Sequence, residues 1–256
     1  MESSAQSEST PPSAHKALLI VFLVVFIDLL GFGIVLPLLP VYADGILKTL
    51  LGSSDTPTSG LIIGLLMSSF SAMQFIFAPI WGRISDRIGR RPVLLIGLAG
   101  SVVFYALLGY ASDMGSGSAT LALVLLFAAR IGAGVSGATI STAQAVIADR
   151  TPPEKRKHGM ALIGAAFGMG FTFGPLIGAA GLYYFPDHLG ITGYAAAGLS
   201  LIALILGICI LPETREFGSE PPMKRRWLDW GAMRDVLKTP ALAPVILTFF
   251  LATLGF

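Results

Sequence analysis

Residues 17–43 read ALLIVFLVVFIDLLGFGIVLPLLPVYA, and this stretch decides the class of the molecule. A helix needs about 20 largely apolar residues to cross the hydrocarbon core of a bilayer. The run exceeds that length and holds a single charge, Asp28. It is also longer than the roughly 7–15-residue apolar core of a secretory leader, and nothing in it reads as a processing site. It is expected to persist as a first membrane span, behind a polar Ser- and Pro-rich tail, residues 1–16, expected to be disordered.

Working outward, apolar runs of spanning length occur at 17–42, 60–81, 92–111, 119–148, 158–183 and 191–212, separated by short polar connections. The expected fold is an all-α membrane protein, a six-span bundle over 17–212. Residues 213–239 are polar and charged and read as a linker. Within it Trp227, Trp230, Met233 and Leu237 recur at helical spacing beside Lys224, Arg225 and Arg226. An interfacial amphipathic helix and a flexible linker both fit that pattern. A seventh apolar run starts at Pro240 and is still apolar at Phe256, which reads as a truncated seventh span of a longer protein.

Composition agrees. Of 256 residues, 54% are hydrophobic and 12% charged, against about a quarter charged in soluble domains. Thirty glycines suit membrane helices, where small residues let backbones approach closely. The one cysteine, Cys209, excludes a disulfide within the chain. His15, His158 and His188 are scattered, so no metal site is expected, nor any cofactor or nucleic-acid partner. No Ser/His/Asp set or phosphate-binding loop is present, and the GAGVSG at 132–137 lies within a span rather than at a strand-to-helix turn. An enzyme is not expected.

Lys and Arg set the orientation. Arg83, Arg87, Arg90 and Arg91 follow span two; Arg150, Lys155, Arg156 and Lys157 follow span four; six more follow span six, and Lys16 precedes span one. The odd connections hold only Lys48. The N-terminus and the even connections are therefore expected on the cytoplasmic side of a cell (inner) membrane.

Two charges fall inside spans, Asp28 and Arg130. Such a charge costs about 2.5–3.5 kcal/mol at the bilayer centre on insertion scales, so each is expected to face a watery cavity or the bundle interior. Each is followed by glycines, Gly31 and Gly33 or Gly132 and Gly134. They sit in corresponding spans if the six divide into two inverted units of three. Arg130, Gly134, Gly137, Ser141 and Gln144 share one helical face, as do Ser71 and Gln74. A cavity between spans one, two and four would collect Asp28, Gln74 and Arg130; a plain Asp28–Arg130 pair, or caps on glycine-weakened helices, are the structural alternatives. In span five, Gly164, Gly168, Gly170, Gly174 and Gly178 place small residues four apart in two registers, and Pro175 removes a backbone donor. Close helix packing and a hinge both follow from that pattern.

The segment Gly82-Arg83-Ile84-Ser85-Asp86-Arg87-Ile88-Gly89-Arg90-Arg91 resembles the loop motif between spans two and three of the major facilitator superfamily. Arg130 with Gly134 resembles that family's fourth-span motif. Gly170, Gly174, Pro175 and Gly178 resemble the fifth-span motif of its antiporter branches, with Ala179 where a final Gly is common. Met73 through Pro79, Asp28 with Gly31, Gly33, Pro37 and Pro40, and the stretch from Gly137 to Asp149 are similar to the tetracycline-resistance type of drug:proton antiporter. The resemblance covers roughly residues 17–215. It departs in span three, where those exporters carry an acidic residue and this chain has Phe104, which puts tetracycline itself in doubt as the substrate.

The resemblance implies two six-helix bundles around a central cavity, working by alternating access. This chain would be the N-terminal bundle, and its partners the lipid bilayer, protons, a small-molecule substrate, and a C-terminal bundle or a second copy. It implies that Asp28 and Arg130 act at the cavity in proton-coupled efflux of a lipophilic drug or metabolite. It also implies that Gly82, Asp86, Arg87, Gly89, Arg90, Arg91 and Asp149 form a cytoplasmic gate network, for which plain topological anchoring is the alternative. Proton symport of a sugar-like solute, and a non-transporting half-fold serving as scaffold or sensor, stay open as other functions.

Overall fold

The computed structural model describes residues 12–211 apart from 54, 115, 138, 139, 153 and 155, and beyond them only positions 231, 244 and 248. The expected linker and seventh run otherwise lie outside the described residues. The chain divides into two units, Met1–Arg215 and Glu216–Phe256, and all six spans belong to the first.

Every regular element among the described residues is helical. The first span is α1 (Pro12–Val35), a 3-10 turn at Leu36–Leu38 and α2 (Leu39–Leu51). The second is α3 (Pro57–Ile88) and the third α4 (Arg90–Ser112). The fourth comprises α5 (Ala119–Gly137) and α6 (Ile140–Arg150), the fifth α7 (Arg156–Tyr184), and the sixth α8 (Ile191–Ile210). Six stretches are long and apolar enough to cross a membrane, one for each expected span.

The helix ends have local causes. Pro37 and Pro40 cannot donate to carbonyls four residues back, and the chain tightens into the 3-10 turn between α1 and α2. Gly52 ends α2 at φ +75° and donates to Lys48 O, a left-handed cap. Thr56 caps α3, its Oγ1 accepting from Ser59 N at 3.1 Å, with Pro57 next in the first turn. Asp113, at the end of α4, reaches across to accept from Gly190 N at 2.7 Å and so caps α8.

Two boundaries differ from the sequence expectation. The first helix begins at Pro12 and the span runs to Leu51, past the expected 17–42. Polar Asp44 and Lys48 are tolerated there because they pair four residues apart at 2.8 Å. The basic segment after span two is not a loop: helix continues to Ile88 and resumes at Arg90. Gly89 alone makes the corner, at φ +106°, ψ 158°, a region that only glycine adopts readily.

The spans pack in an exchanged pattern. Span one lies on spans five and six, span four on spans two and three, and span three on span six. Swapping the first three spans for the last three leaves these neighbours unchanged, which fits two three-helix units. Glycines make the closest seams. Gly33 on α1 lies against the main chain of Gly170 and Gly174 on α7, and Gly178 against Ile34 O and Leu38. Gly109 on α4 meets Gly190 and Gly193 at the start of α8. Of the two span-five registers, Gly170/Gly174/Gly178 is buried in this seam, while Gly164 and Gly168 have open space where a side chain would stand. The core beside the seams holds Val35, Leu39, Tyr42, Leu66, Leu108 and Leu126. α3 and α7 leave large apolar side chains outward, among them Leu61, Leu65, Phe75, Phe173 and Leu176, surfaces that suit acyl chains or further helices rather than water.

Gly174→Ala, whose new carbon falls on the Gly33 and Ile34 main chain, is expected to lower stability by about 1–3 kcal/mol or to prevent recovery of monodisperse protein. Gly168→Ala should leave stability unchanged. Thermal unfolding of the two purified variants in detergent makes the comparison.

Candidate functional site

Near the middle of the bundle a cavity of about 210 Å³ is lined by Asp28, Leu29 and Phe32 of α1, Phe70, Ser71 and Gln74 of α3, Tyr105 of α4, Gly137 of α5, Ile140 of α6, and Phe167 and Phe171 of α7. Two of the three expected cavity residues, Asp28 and Gln74, are on this wall. Gln74 Nε2 donates to Gly137 O at 3.1 Å, which fixes its amide between spans two and four.

Arg130 is placed differently. It is 1% exposed and stands behind the wall, its guanidinium carbon 4.7 Å from the centre of the Phe70 ring and 5.9 Å from that of Phe32. Those rings stack on one another at 4.7 Å. Nη2 donates to Met67 O at a long 3.5 Å, while Nε and Nη1 have no hydrogen-bond partner. The charge is therefore held chiefly by aromatic faces, an attraction of about 2 kcal/mol or more when desolvated. Ion pairs within 4 Å among the described residues do not include Asp28 with Arg130. Tyr105 stands within electrostatic reach of both. Asp28 Oδ1 is likewise buried without a hydrogen-bond partner.

The small stripe on span four is the seat for span two. Gly134 lies against the Phe70 main chain and Met73, Gly137 against the Phe70 ring and Gln74, and Ser141 Oγ donates to Ala78 O at 3.4 Å. Gln144, at the end of the stripe, is exposed. Trp81 adds a bond that sequence reasoning missed, Nε1 donating to Val135 O at 2.7 Å. Phe104 packs its ring on Gly132, occupying space between spans three and four.

The aromatic wall was also missed. Phe167 stacks on Phe171 at 6.2 Å, and Phe171 meets Phe32 edge-on at 5.7 Å. Phe167 and Phe171 are four apart on one face of α7, a signal present in the sequence. The faces that Phe32 and Phe70 turn to the same cavity depend on how spans one and two pack, which spacing within each span does not give.

At the end of the bundle that carries the basic segments, a second cluster forms. Arg90 Nη1 lies 2.6 Å from Asp86 Oδ1 and donates to Ser85 Oγ at 2.7 Å, while its Nε donates to Asp149 Oδ2 at 3.2 Å. Arg90 thus joins the ends of spans two, three and four. Arg91 Nη2 donates to Ile208 O at 2.7 Å, one of the last carbonyls of α8, where a cation also suits the helix dipole. Arg87 is exposed, and Gly82 has open space beside its backbone. Of the span-five set, Gly170, Gly174 and Gly178 serve the α1 seam, and Pro175 sits inside the continuous helix α7.

A family model described as Major Facilitator Superfamily matches residues 21–256. The chain is 36% identical over 202 residues to the class E tetracycline resistance protein of Escherichia coli, covering 78% of this chain and 45% of that protein. It is 32% identical over 235 residues to major facilitator superfamily domain-containing protein 10 of Homo sapiens, covering 82% and 47%. The crystal structure of the human organic anion transporter MFSD10 (TETRAN) superposes with a TM-score of 0.64 at 32% identity, covering 83% of this chain and 51% of that one. The chain spans about half the length of the curated relatives it matches.

Arg90→Lys tests the basic-end cluster. A lysine carries one point charge and lacks the guanidinium fork that reaches both carboxylates and Ser85. Hydrogen exchange of residues 82–92 and 146–150 is expected to speed up by roughly two- to fivefold, a loss of about 0.5–1 kcal/mol, with Arg91→Lys speeding the end of α8 instead.

Proposed function

The chain belongs to the major facilitator superfamily, and on that footing we propose that it is the cavity-forming bundle of a proton-coupled exporter, exchanging protons for a small lipophilic drug or metabolite. The observation that carries this is Asp28: a carboxyl on the wall of an aromatic cavity, inside a membrane span, with no ion pair to Arg130. A carboxyl facing such a cavity is either neutralised by a proton or balanced by a bound ligand, so the two compete for one site. Alternating access then turns that competition into exchange, since the carboxyl loads its proton on one side of the membrane and releases it on the other. Phe32, Phe70, Phe167 and Phe171 supply flat apolar faces for a lipophilic ring, and Gln74 a polar edge. The cavity within this bundle, about 210 Å³, falls below the roughly 300–1,000 Å³ of small-molecule sites. A second six-helix bundle, or a second copy, would complete it.

The basic-end cluster takes the gate role in this reading. The Lys and Arg distribution supports a cytoplasmic position for that end, with the N-terminus. Asp86, Arg90 and Asp149 then hold spans two, three and four together when the cavity opens outward, and release them when it opens inward.

One observation favours a second reading. Among the described residues Arg130 is a buried cation with no ion-pair partner, so protonating Asp28 leaves the cavity region with a net positive charge that would welcome an anion. An organic anion, the cargo named for the solved human relative, would travel with the proton rather than against it. The direction of proton flux with a lipophilic cation and with a lipophilic anion separates the two readings.

Asp28→Asn in the full-length protein, reconstituted in liposomes, is expected to keep substrate binding within about threefold and to keep downhill exchange. Uphill transport driven by a pH gradient should fall at least roughly a hundredfold, the scale of a lost general acid–base group. Uphill transport at the wild-type rate would remove Asp28 from the coupling step.

A further inference from the structure

We propose that Ser101 and Ser200 form, with Asp28, a proton-holding corner built by α1, α4 and α8 on the side of the carboxyl turned away from the aromatic cavity. The inference rests on the reading of Asp28 as the coupling group and adds where the proton is kept. Both serines are buried, at 3% and 0% exposure, and both lie beside the Asp28 carboxyl. Asp28 Oδ1 and Ser200 Oγ are each buried without a completed hydrogen bond, so the corner is assembled but not closed.

The helix register explains why these three meet. Gly31, three residues after Asp28 on α1, lies within contact of Ala196 on α8 and Tyr105 on α4. One turn along from Ala196 is Ser200, and one turn back from Tyr105 is Ser101, so both fall at the level of Asp28. At Gly31, α4 and α8 both pack directly on α1, which brings the two serines to the carboxyl one turn away. A void of about 20 Å³ bounded by Val24, Asp28, Leu94, Leu98 and Ala143 lies beside the carboxyl.

Serine suits both states of the carboxyl. A hydroxyl donates to the carboxylate and accepts from the protonated acid, so it follows the proton on and off without adding charge. An arginine would favour the charged form alone. The ionisable neighbours on every packed element are few. Tyr105 on α4 is within electrostatic reach of Asp28, and Arg130 on α5 reaches Tyr105. α6 before Asp149, α7 between Gly159 and Leu182, and α8 between Ala195 and Ile208 carry none.

The test is spectroscopic and needs no substrate. The full-length protein is titrated in liposomes and the infrared difference band of a protonated carboxyl is followed, assigned by its loss in Asp28→Asn. In Ser101→Ala/Ser200→Ala that band is expected to shift to higher wavenumber, as hydrogen bonds to the acid are removed, and its titration midpoint to move. Ser200→Thr, which keeps a hydroxyl, should return the band towards the wild-type position; that recovery also excludes misfolding as the cause. A band unchanged in the double alanine variant overturns the serine corner while leaving Asp28 as the coupling group. A carboxyl band that survives Asp28→Asn overturns the reading of Asp28 itself, and with it this inference.

Discussion

Close approach of main chains is the constraint on which the rest of this bundle depends. In a bilayer, apolar side chains gain little by leaving lipid for one another, and packing through small residues does more of the work. Gly33 against Gly170 and Gly174, Gly134 against Phe70, and Gly109 against Gly190 and Gly193 set the spacing of spans one and five, two and four, and three and six. Once these are fixed, Gly31 admits Tyr105 and Ala196 to α1, and Asp28 meets the residues around it. The charged groups are consequences of the seams. No ion pair among the described residues draws the middle of the bundle together.

Much of this was legible in the sequence, because membrane spans announce themselves by length and apolarity. All six were placed, and the errors had physical causes. Asp44 and Lys48 looked like the end of a span, but an internal pair lets the helix carry them. Gly82 to Arg91 looked like a loop because it is polar, whereas polarity at a membrane surface does not oppose helix. One glycine suffices for the corner, and a polar stretch does not say which residue that will be. The buried glycine register of span five resolved as packing, and the motif alone did not distinguish it from the exposed one at Gly164 and Gly168.

The site was legible as a list of residue types and less so as an arrangement. Asp28 and Gln74 reach the cavity, and the Asp86–Arg90–Asp149 cluster forms. What spacing could not supply was the partner of each group. Asp28 and Arg130 invite pairing on paper, being the two charges inside the expected spans, yet they form no ion pair: Asp28 lies on the cavity wall and Arg130 against ring faces. Such a separation leaves the charge state of the Asp28 carboxyl to its own surroundings, where a salt bridge to the standing charge of Arg130 would hold it ionised.

Adjacent Arg90 and Arg91 give the two ends of the bundle different sensitivities to the medium. At their end the ties between spans run through guanidinium groups, to two carboxylates and to a helix-terminal carbonyl. At the opposite end the ties between spans among the described residues include a Tyr42–Thr192 hydroxyl pair and the Asp113 cap on a main-chain amide. Mobile ions screen exposed charges over about 8–10 Å at physiological ionic strength; they reach the exposed Asp113 carboxylate as they reach the arginine cluster, and have little hold on the buried Tyr42–Thr192 hydroxyl pair. Dissolved salt therefore acts unevenly on this bundle: it reaches each tie that runs through the arginines, and leaves the buried hydroxyl pair at the other end untouched.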